Sequence, residues 1–418
     1  DSASQTINLT AVNDTPVVNG PGSAYTVNEQ TNLTIEGTGF TVADVDAASG
    51  SLTATVSVGE GAITVVEGDS GVTISGGNGT GTVTLTGTLS QIDNLLTGAG
   101  TGTITYLNSS DTPSASTTIT ITVNDAGNTG IDPGLTGDGT SEQDSASQTI
   151  NLTAVNDTPV VNGPGSAYSV NEQTNLTIQG TGFTVADVDA ASGSMTATLS
   201  VGEGAITVVA GDSGVTISGG NGSGTVTLTG TLAQIDNLLT GSSTGTITYL
   251  NGSDTPSSST TITVTVNDGG NAGIDPGLTG DGSSEQDSAS QTINLTAVND
   301  TPVVNGPGSA YSVNEQTNLS IEGTGFTVSD VDAASGSLTA TLSVGEGAIT
   351  IVEGDSGVTI SGGNGTGTVN LTGTLSQIDN LLTGAGTGTI TYLNSSDTPS
   401  ASTTITVTVN DAGNTGID

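Results

Sequence analysis

The side chains able to do chemistry here are carboxylates and amides, and the chemistry they suit is the binding of a hard cation. The 418 residues include 41 Asp and Glu and no Lys, Arg, His or Cys. Ca²⁺ takes six to eight oxygens from carboxylates, Asn side chains, backbone carbonyls and water. Two groups of such residues recur along the chain. The first joins Asn13-Asp14 with Glu29 and with Asp44-Val45-Asp46, where an extended D-x-D segment puts both carboxylates on one side. The second runs from Asn124-Asp125 through Asn128 to Asp132 and Asp138, with Asp111 on the preceding loop. The expected ligands are Asn13, Asp14, Glu29, Asp44, Asp46, Asp111, Asn124 and Asp125. A second set follows at Asn156, Asp157, Glu172, Asp187, Asp189, Asp254, Asn267 and Asp268, and a third at Asn299, Asp300, Glu315, Asp330, Asp332, Asp397, Asn410 and Asp411. Isolated acids such as Asp69 and Asp93 read as turn formers and solvated surface. No twelve-residue EF-hand loop and no G-G-x-G-x-D nonapeptide occurs.

The same inventory closes most other routes. Without His, Lys or Cys, general acid–base and nucleophilic catalysis lose their usual groups. Paired carboxylates could hydrolyse glycosides, but aromatics are 2% of the chain and Trp is absent, so the sugar platform is missing. The expectation is that this protein is not an enzyme. A formal charge of −41 repels nucleic acid and anionic membrane faces. No apolar run reaches the roughly 18 residues that a membrane span needs. The absence of Cys leaves cores and ions, not disulfides, as the source of stability. The chain starts at Asp1 without a leader and reads as a processed or excised piece.

The positioning elements repeat. DSASQTINLTAVNDTPVVNGPGSAY starts at Asp1, Asp144 and Asp287, a period of 143 residues that fits one domain per repeat. Alternation predicts strands at Thr6 to Val12, Leu52 to Val58, Ala62 to Val66, Val72 to Ser75, Gly81 to Thr86, Ile104 to Leu107 and Ile119 to Val123. Turns such as Gly76-Gly77-Asn78-Gly79 separate them. About eight short strands per period predict an all-β β-sandwich. Thr88-Leu89-Ser90-Gln91 is a capping box, and Leu89, Ile92, Leu95 and Leu96 follow at helical spacing. A short helix is expected over 89–96.

The Gly-, Asp- and Pro-rich stretch 124–143 reads as a long loop between two strands of a hairpin, Ser116 to Val123 and Ser145 to Val155. The expected division is therefore 1–14 as the last strand of a preceding or neighbouring domain, then sandwiches over 15–157, 158–300 and 301–418, the third lacking its last strand. Two explanations fit. Either the chain is a slice of a longer array, or residues 1–12 of one subunit fill the open edge of the third sandwich in the next, making a head-to-tail filament.

Taken in order, Val12-Asn13-Asp14-Thr15-Pro16, Asn28-Glu29-Gln30, Ala43-Asp44-Val45-Asp46-Ala47, the segment Gly87 to Leu96 and the segment Thr122 to Gly130 resemble the cadherin-like, immunoglobulin-like tandem repeats of large bacterial RTX-type surface adhesins. The resemblance covers essentially all of each repeat. It implies a linear array of calcium-rigidified extenders, outside the cell, that holds a terminal binding module away from the surface, as in biofilm adhesion. By position it implies Glu29 as the acid of the first strand, Asp44 and Asp46 as the D-x-D pair, and Asn13-Asp14 as the linker. The D-R-E segment of cadherins proper is missing, because the chain has no Arg.

The expected function is thus a calcium-stiffened stalk segment at the cell surface or in a secreted matrix. Its partners would be adjacent repeats or identical subunits end to end, with any terminal ligand outside this segment. Surface binding through Thr-rich faces and a glycosylated scaffold, from sequons such as those at Asn8, Asn32 and Asn78, are weaker readings, since alternating Thr is ordinary on exposed strands.

Overall fold

A computed structural model describes residues 1–47, 49–127, 130–131, 142–190, 192–270, 273–274, 285–413 and 416–417. Asn128, Asp132 and Asp138, named above, lie outside them. The chain forms two compact units. One comprises Asp1–Val160, Val185–Thr196 and Val266–Asp287; the other comprises Val161–Thr184, Ala197–Thr265 and Ser288–Asp418. The fold is all-β, with three short helices among the described residues. None of these helices is long and apolar enough to cross a membrane.

In the first unit the strands are β1 (Val17–Asn19), β2 (Tyr25–Asn28), β3 (Leu33–Thr34), β4 (Thr41–Ala43), β5 (Ser51–Val58), β6 (Ala62–Val66), β7 (Thr73–Gly76) and β8 (Thr82–Thr88). After helix α1 (Leu89–Thr97) come β9 (Thr103–Leu107), β10 (Ser116–Asn124) and β11 (Gln143–Thr153). A six-stranded sheet runs β2-β11-β10-β5-β8-β7, a three-stranded sheet runs β3-β9-β6, and β1 pairs with β4. Side chains alternate between faces with the pleat. Ile119, Ile121 and Val123 of β10, Leu52, Ala54 and Val56 of β5, and Val83 and Leu85 of β8 therefore point one way. They meet Ile63, Val65, Ile104 and Tyr106 from the smaller sheet in one buried core. The intervening Thr residues face outward, which is how a chain this polar still makes a sandwich.

Helix α1 matches its predicted place to within a residue. Thr88 Oγ1 accepts from the Gln91 amide at 3.4 Å and Gln91 Oε1 accepts from the Thr88 amide at 2.8 Å, so two orphan donors are satisfied reciprocally. Gly98, at φ 67°, closes the other end in the left-handed region. Ile92, Leu95 and Leu96 are buried against the sandwich.

The pairing that matters most is at the edge. β10 and β11 form the expected antiparallel hairpin, from Ser116↔Asn151 to Asn124↔Gln143. β2 then runs parallel to β11, with Ile150↔Tyr25 and Asn28↔Thr153. The expected strand from Thr6 to Val12 does not form. Residues 1–11 lie in no strand, with Ile7 81% and Leu9 91% exposed, while the identical residues Ile150 and Leu152 in β11 are 0% and 7% exposed. The difference is the neighbour: an isolated strand has no ladder for its amides.

In the second unit, the strand Tyr168–Asn171 runs parallel to Gln286–Thr296 in the same register. Further on, a four-stranded sheet takes the order Thr359–Gly362, Thr368–Thr374, Ser337–Val344, Ile405–Asn410. It packs on the three-stranded sheet of Leu319–Ser320, Thr389–Leu393 and Ala348–Val352, with helix Leu375–Thr383 alongside, around a core that includes Leu338, Leu342, Ile349 and Leu371.

Candidate metal centres

The acids gather where one copy of the sequence gives way to the next. Around residues 11–13 the chain is pinned to the loop after β10: Val12 bridges Ile131, the Ile131 amide donates to the Ala11 carbonyl at 2.8 Å, and the Asn13 amide donates to the Ile131 carbonyl at 3.0 Å. A glycine makes this approach feasible. A Cβ on Gly130, at φ 88°, would sit 2.4 Å from the Ala11 oxygen. The pin brings Asn13 and Asp14 over the D-x-D turn. Asn13 Nδ2 donates to Asp125 Oδ2 at 3.1 Å, and the Asp14 amide donates to Asp46 Oδ2 at 3.2 Å. Asp44 Oδ1 accepts from the amides of Asp46 and Ala47, which fixes its carboxyl, while its Oδ2 is buried with no hydrogen-bond partner. Oxygens of Asp44, Asp46 and Asp125 lie within 4.8 Å of one another, as do those of Asp330, Asp332 and Asp411. Two oxygens each about 2.4 Å from one Ca²⁺ can be at most about 4.8 Å apart, so both triads are compact enough to share an ion.

Glu29 does not belong to this group, and the expected association with Asn13-Asp14 is corrected. The parallel register that sets Asn28 opposite Thr153 carries Glu29 to the next joint, one repeat downstream. There Glu29 Oε1 accepts from the Val155 amide at 2.9 Å, and Oε2 is buried with no hydrogen-bond partner. Asp111 joins it, since Gln30 Nε2 donates to Asp111 Oδ1 at 2.6 Å. Gln30 itself sits in the left-handed region at φ 56°, unusual for a residue with a Cβ, and so turns the chain sharply after Glu29. The expected grouping of Asp111 with Asp125 is also corrected. The nine residues of β10 separate the two loops by about 30 Å, at opposite ends of the sheet.

The joint at 155–157 thus collects acids from both directions, all within the first unit. Asn156 Nδ2 donates to Asp268 Oδ2 at 3.0 Å, and the Asp157 amide donates to Asp189 Oδ2 at 3.0 Å. Asp187 Oδ1 accepts from the amides of Asp189 and Ala190. Glu29 is 2% and Asp189 5% exposed. Glu29 Oε2, Asp157 Oδ2, Asp187 Oδ2 and Asp189 Oδ1 are all buried without a hydrogen bond. The joint at 298–300, inside the second unit, repeats the pattern. Glu172 Oε1 takes the Val298 amide at 3.0 Å, Asn299 Nδ2 donates to Asp411 Oδ2 at 2.7 Å, and the Asp300 amide donates to Asp332 Oδ2 at 3.1 Å. Gln173 holds Asp254 as Gln30 holds Asp111.

Electrostatics follow from this crowding. Burial pushes the Glu29 carboxyl above its ordinary pKa against the Val155 hydrogen bond, and the charges of Asp157 and Asp111 push the same way. Asp157 is raised by burial and then by Asp111 and Asp187. Asp189 is raised to about 7, first by burial and then by Asp187. Asp330 is raised to about 6 by burial and by Asp332, and Asp44 rises for the same kinds of cause. Carboxylates in this state resist being charged together unless a proton or a cation joins them. The donor set is all oxygen and anionic, which fits Ca²⁺ and not a thiolate or imidazole metal.

Other expected ligands are placed differently. Asn124 Oδ1 accepts from the Ala126 amide at 2.8 Å in a local turn; the corresponding Asn267 and Asn410 do the same with Gly269 and Ala412. Glu315 is exposed and Asp397 accepts only from Gln316 among the described bonds, so the third copy's downstream acids are not assembled. Glu142 and Glu285, each 3% exposed, were not singled out from the sequence. Their carbonyls accept from the Asp125 and Asp268 amides, so Glu142 sits beside the first triad and Glu285 beside the Asp268 that Asn156 contacts. Their signal was masked by a loop rich in Gly and Asp.

No protein-family profile matches the chain, and no curated protein matches it. Among solved structures, repeats EC3-6 of protocadherin gammaB7 align over 96% of this chain and 74% of theirs, at 14% identity and a TM-score of 0.30. Mouse cadherin-23 EC22-24 aligns over 87% of this chain and 88% of its own, at 16% identity and 0.30. Human CDH23 EC21-23 aligns over 93% and 99%, at 14% identity and 0.29. Superpositions this loose assign neither fold nor function, and the fold rests on the strands and sheets themselves.

Proposed function

We propose that the chain is a structural extender: a tandem array of β-sandwiches, divided at 15–157, 158–300 and 301–418, whose joints are stiffened by Ca²⁺. One observation carries this reading: each of the joints at 155–157 and 298–300 is packed with buried carboxylate oxygens that have no hydrogen-bond partner, in a chain with no cationic side chain. At 155–157 Glu29 and Asp111 approach from the copy being left, and Asp187, Asp189 and Asp268 from the copy being entered. With the acids unneutralised, like charges push the joint open. The linker residues and the acids of both flanking turns would together hold a Ca²⁺, which would neutralise their charge and resist bending of the joint. The role is mechanical, with no catalytic step. The setting that suits it is outside a bacterial cell, on a surface adhesin or in a secreted matrix, where Ca²⁺ is abundant enough for modest sites.

The test is the thermal unfolding midpoint in millimolar Ca²⁺ and in excess chelator. A site present only in the folded state adds about 2.7 kcal/mol at 100 times its Kd, so the joints together should raise the midpoint by about ten degrees or more. Equal midpoints would end the calcium reading.

A further inference from the structure

Gln30 is an unexpected residue for its place. The Thr31 amide donates to the Asn28 carbonyl at 3.3 Å, which closes a turn over 28–31. Gln30 is the third residue of that turn and takes φ 56°. Gly or Asn ordinarily meets such a φ, because a Cβ crowds the backbone there. Gln173, at φ 55°, makes the same departure in the second copy. Both glutamines are exposed, so packing does not account for them. A long side chain kept at a backbone cost points to a task for that side chain.

The partner of the side chain is Asp111, whose Oδ1 accepts from Gln30 Nε2 at 2.6 Å. Asp111 lies midway along the loop 108–114, and both ends of that loop are tied to Glu60. Asn108 Nδ2 donates to Glu60 Oε1 at 2.7 Å, and the Ser114 amide donates to Oε2 at 3.2 Å. The carbonyl of Asn108, itself 2% exposed, accepts from the Gln30 amide at 2.7 Å. The loop and the turn after Glu29 are thus braced against each other, but among the described residues only Gln30 holds the Asp111 carboxyl. Burial raises the Glu29 and Asp157 carboxyls, and the charge of Asp111 adds to both rises, so Asp111 stands beside them at the joint. The second copy repeats the arrangement. The Gln173 amide donates to the Asn251 carbonyl at 2.7 Å, Asn251 and Ser257 are tied to Glu203, and Gln173 Nε2 donates to Asp254.

We propose that Gln30 and Gln173 are positioning residues: each keeps its strained backbone so that its side-chain amide can hold a loop acid, Asp111 or Asp254, in place for the cation at the following joint. The role rests on the calcium reading above. A loop carboxylate that is ordered only when the ion arrives costs conformational entropy, and a tether that orders it beforehand removes that cost from binding.

The test is calorimetric titration of the 418-residue chain with Ca²⁺, beside its unfolding midpoint in chelator. The paired change Gln30→Gly and Gln173→Gly accepts the same φ and removes the tether. The pair Gln30→Asn and Gln173→Asn tolerates the φ but shortens the side chain by a methylene. Both variants should melt in chelator close to the wild-type midpoint, since the lost side chains are exposed. Both should bind Ca²⁺ about tenfold or more weakly, as when an outer partner of a metal ligand is removed. On a background of Asp111→Ala and Asp254→Ala the glycine pair should cause no further loss, because the amides act only through those acids. Wild-type affinity in both variants would overturn the proposal, as would a loss of the same size on the alanine background. A wild-type chain that takes up no Ca²⁺ would overturn the calcium reading, and this role with it.

Discussion

Asp69 and Asp189 are the same residue type, each in a connection between strands, and their surroundings have opposite effects. Asp69 Oδ1 accepts from the amide and the hydroxyl of Thr101, at 2.5 and 3.0 Å, and those bonds hold its pKa below the ordinary value. Asp212 and Asp355 repeat this with Thr244 and Thr387. These acids are complete without a ligand: the protein supplies the donors that their charge requires. Asp189 is buried facing Asp187 and Asp157 instead, and is pushed up to about 7, first by burial and then by those acids. An acid whose donors are supplied by the fold is a structural clasp, while one whose neighbours are other acids calls for a cation.

The largest way to break that contrast is to remove charge at a joint. The double change Asp187→Asn and Asp189→Asn should abolish the calcium response of the 155–157 joint, a loss of about 2.7 kcal/mol per site at 100 times Kd, measured by unfolding in Ca²⁺ and by counting bound ions calorimetrically. A subtler change, Glu29→Gln, should act with opposite signs in the two conditions. The amide oxygen still accepts from Val155, so without the ion the protein gains stability from lost repulsion. With the ion it loses a charged ligand, a cost of about 1–3 kcal/mol.

Acidity should mimic the ion on a smaller scale. A carboxyl whose folded pKa is raised binds more protons folded than unfolded, so its contribution is fully present below the unfolded pKa and is lost as pH rises through the folded value. With Asp189 at about 7 and Asp330 at about 6, the chelated protein should melt higher at pH 5 than at pH 7. In Ca²⁺ this trend should flatten or reverse, because protons and ions compete for the same oxygens. Smallest of all, Asp69→Ala should lower the midpoint slightly and equally in Ca²⁺ and chelator, and leave the ion count unchanged. A calcium-dependent difference there would undo the contrast.

Much of this was legible in the residues. Strict alternation in Ile119 to Val123 and its fellows specified sheets with one apolar face, because the pleat has a period of two. Thr88 and Gln91 announced α1 because capping is a local exchange of hydrogen bonds. The supply of oxygen donors followed from a chain with many carboxylates and no bases, and the hard cation proposed for them rests on that same inventory. Three things could not be read this way. Glu29 and Asp111 meet Asp157, not Asn13-Asp14 or Asp125, because a parallel pairing between β2 and β11 carries them to the far joint, and register between strands distant in sequence leaves no local trace. Glu142 is buried where the start of β11 meets the end of β10, a pairing across a long stretch of sequence. Residues 6–10 carry the same letters as 149–153, yet only the latter form a strand. Composition and periodicity determined what each segment could become, and tertiary structure decided which segments found a neighbour, since a strand's amides and apolar face gain stability only against a partner.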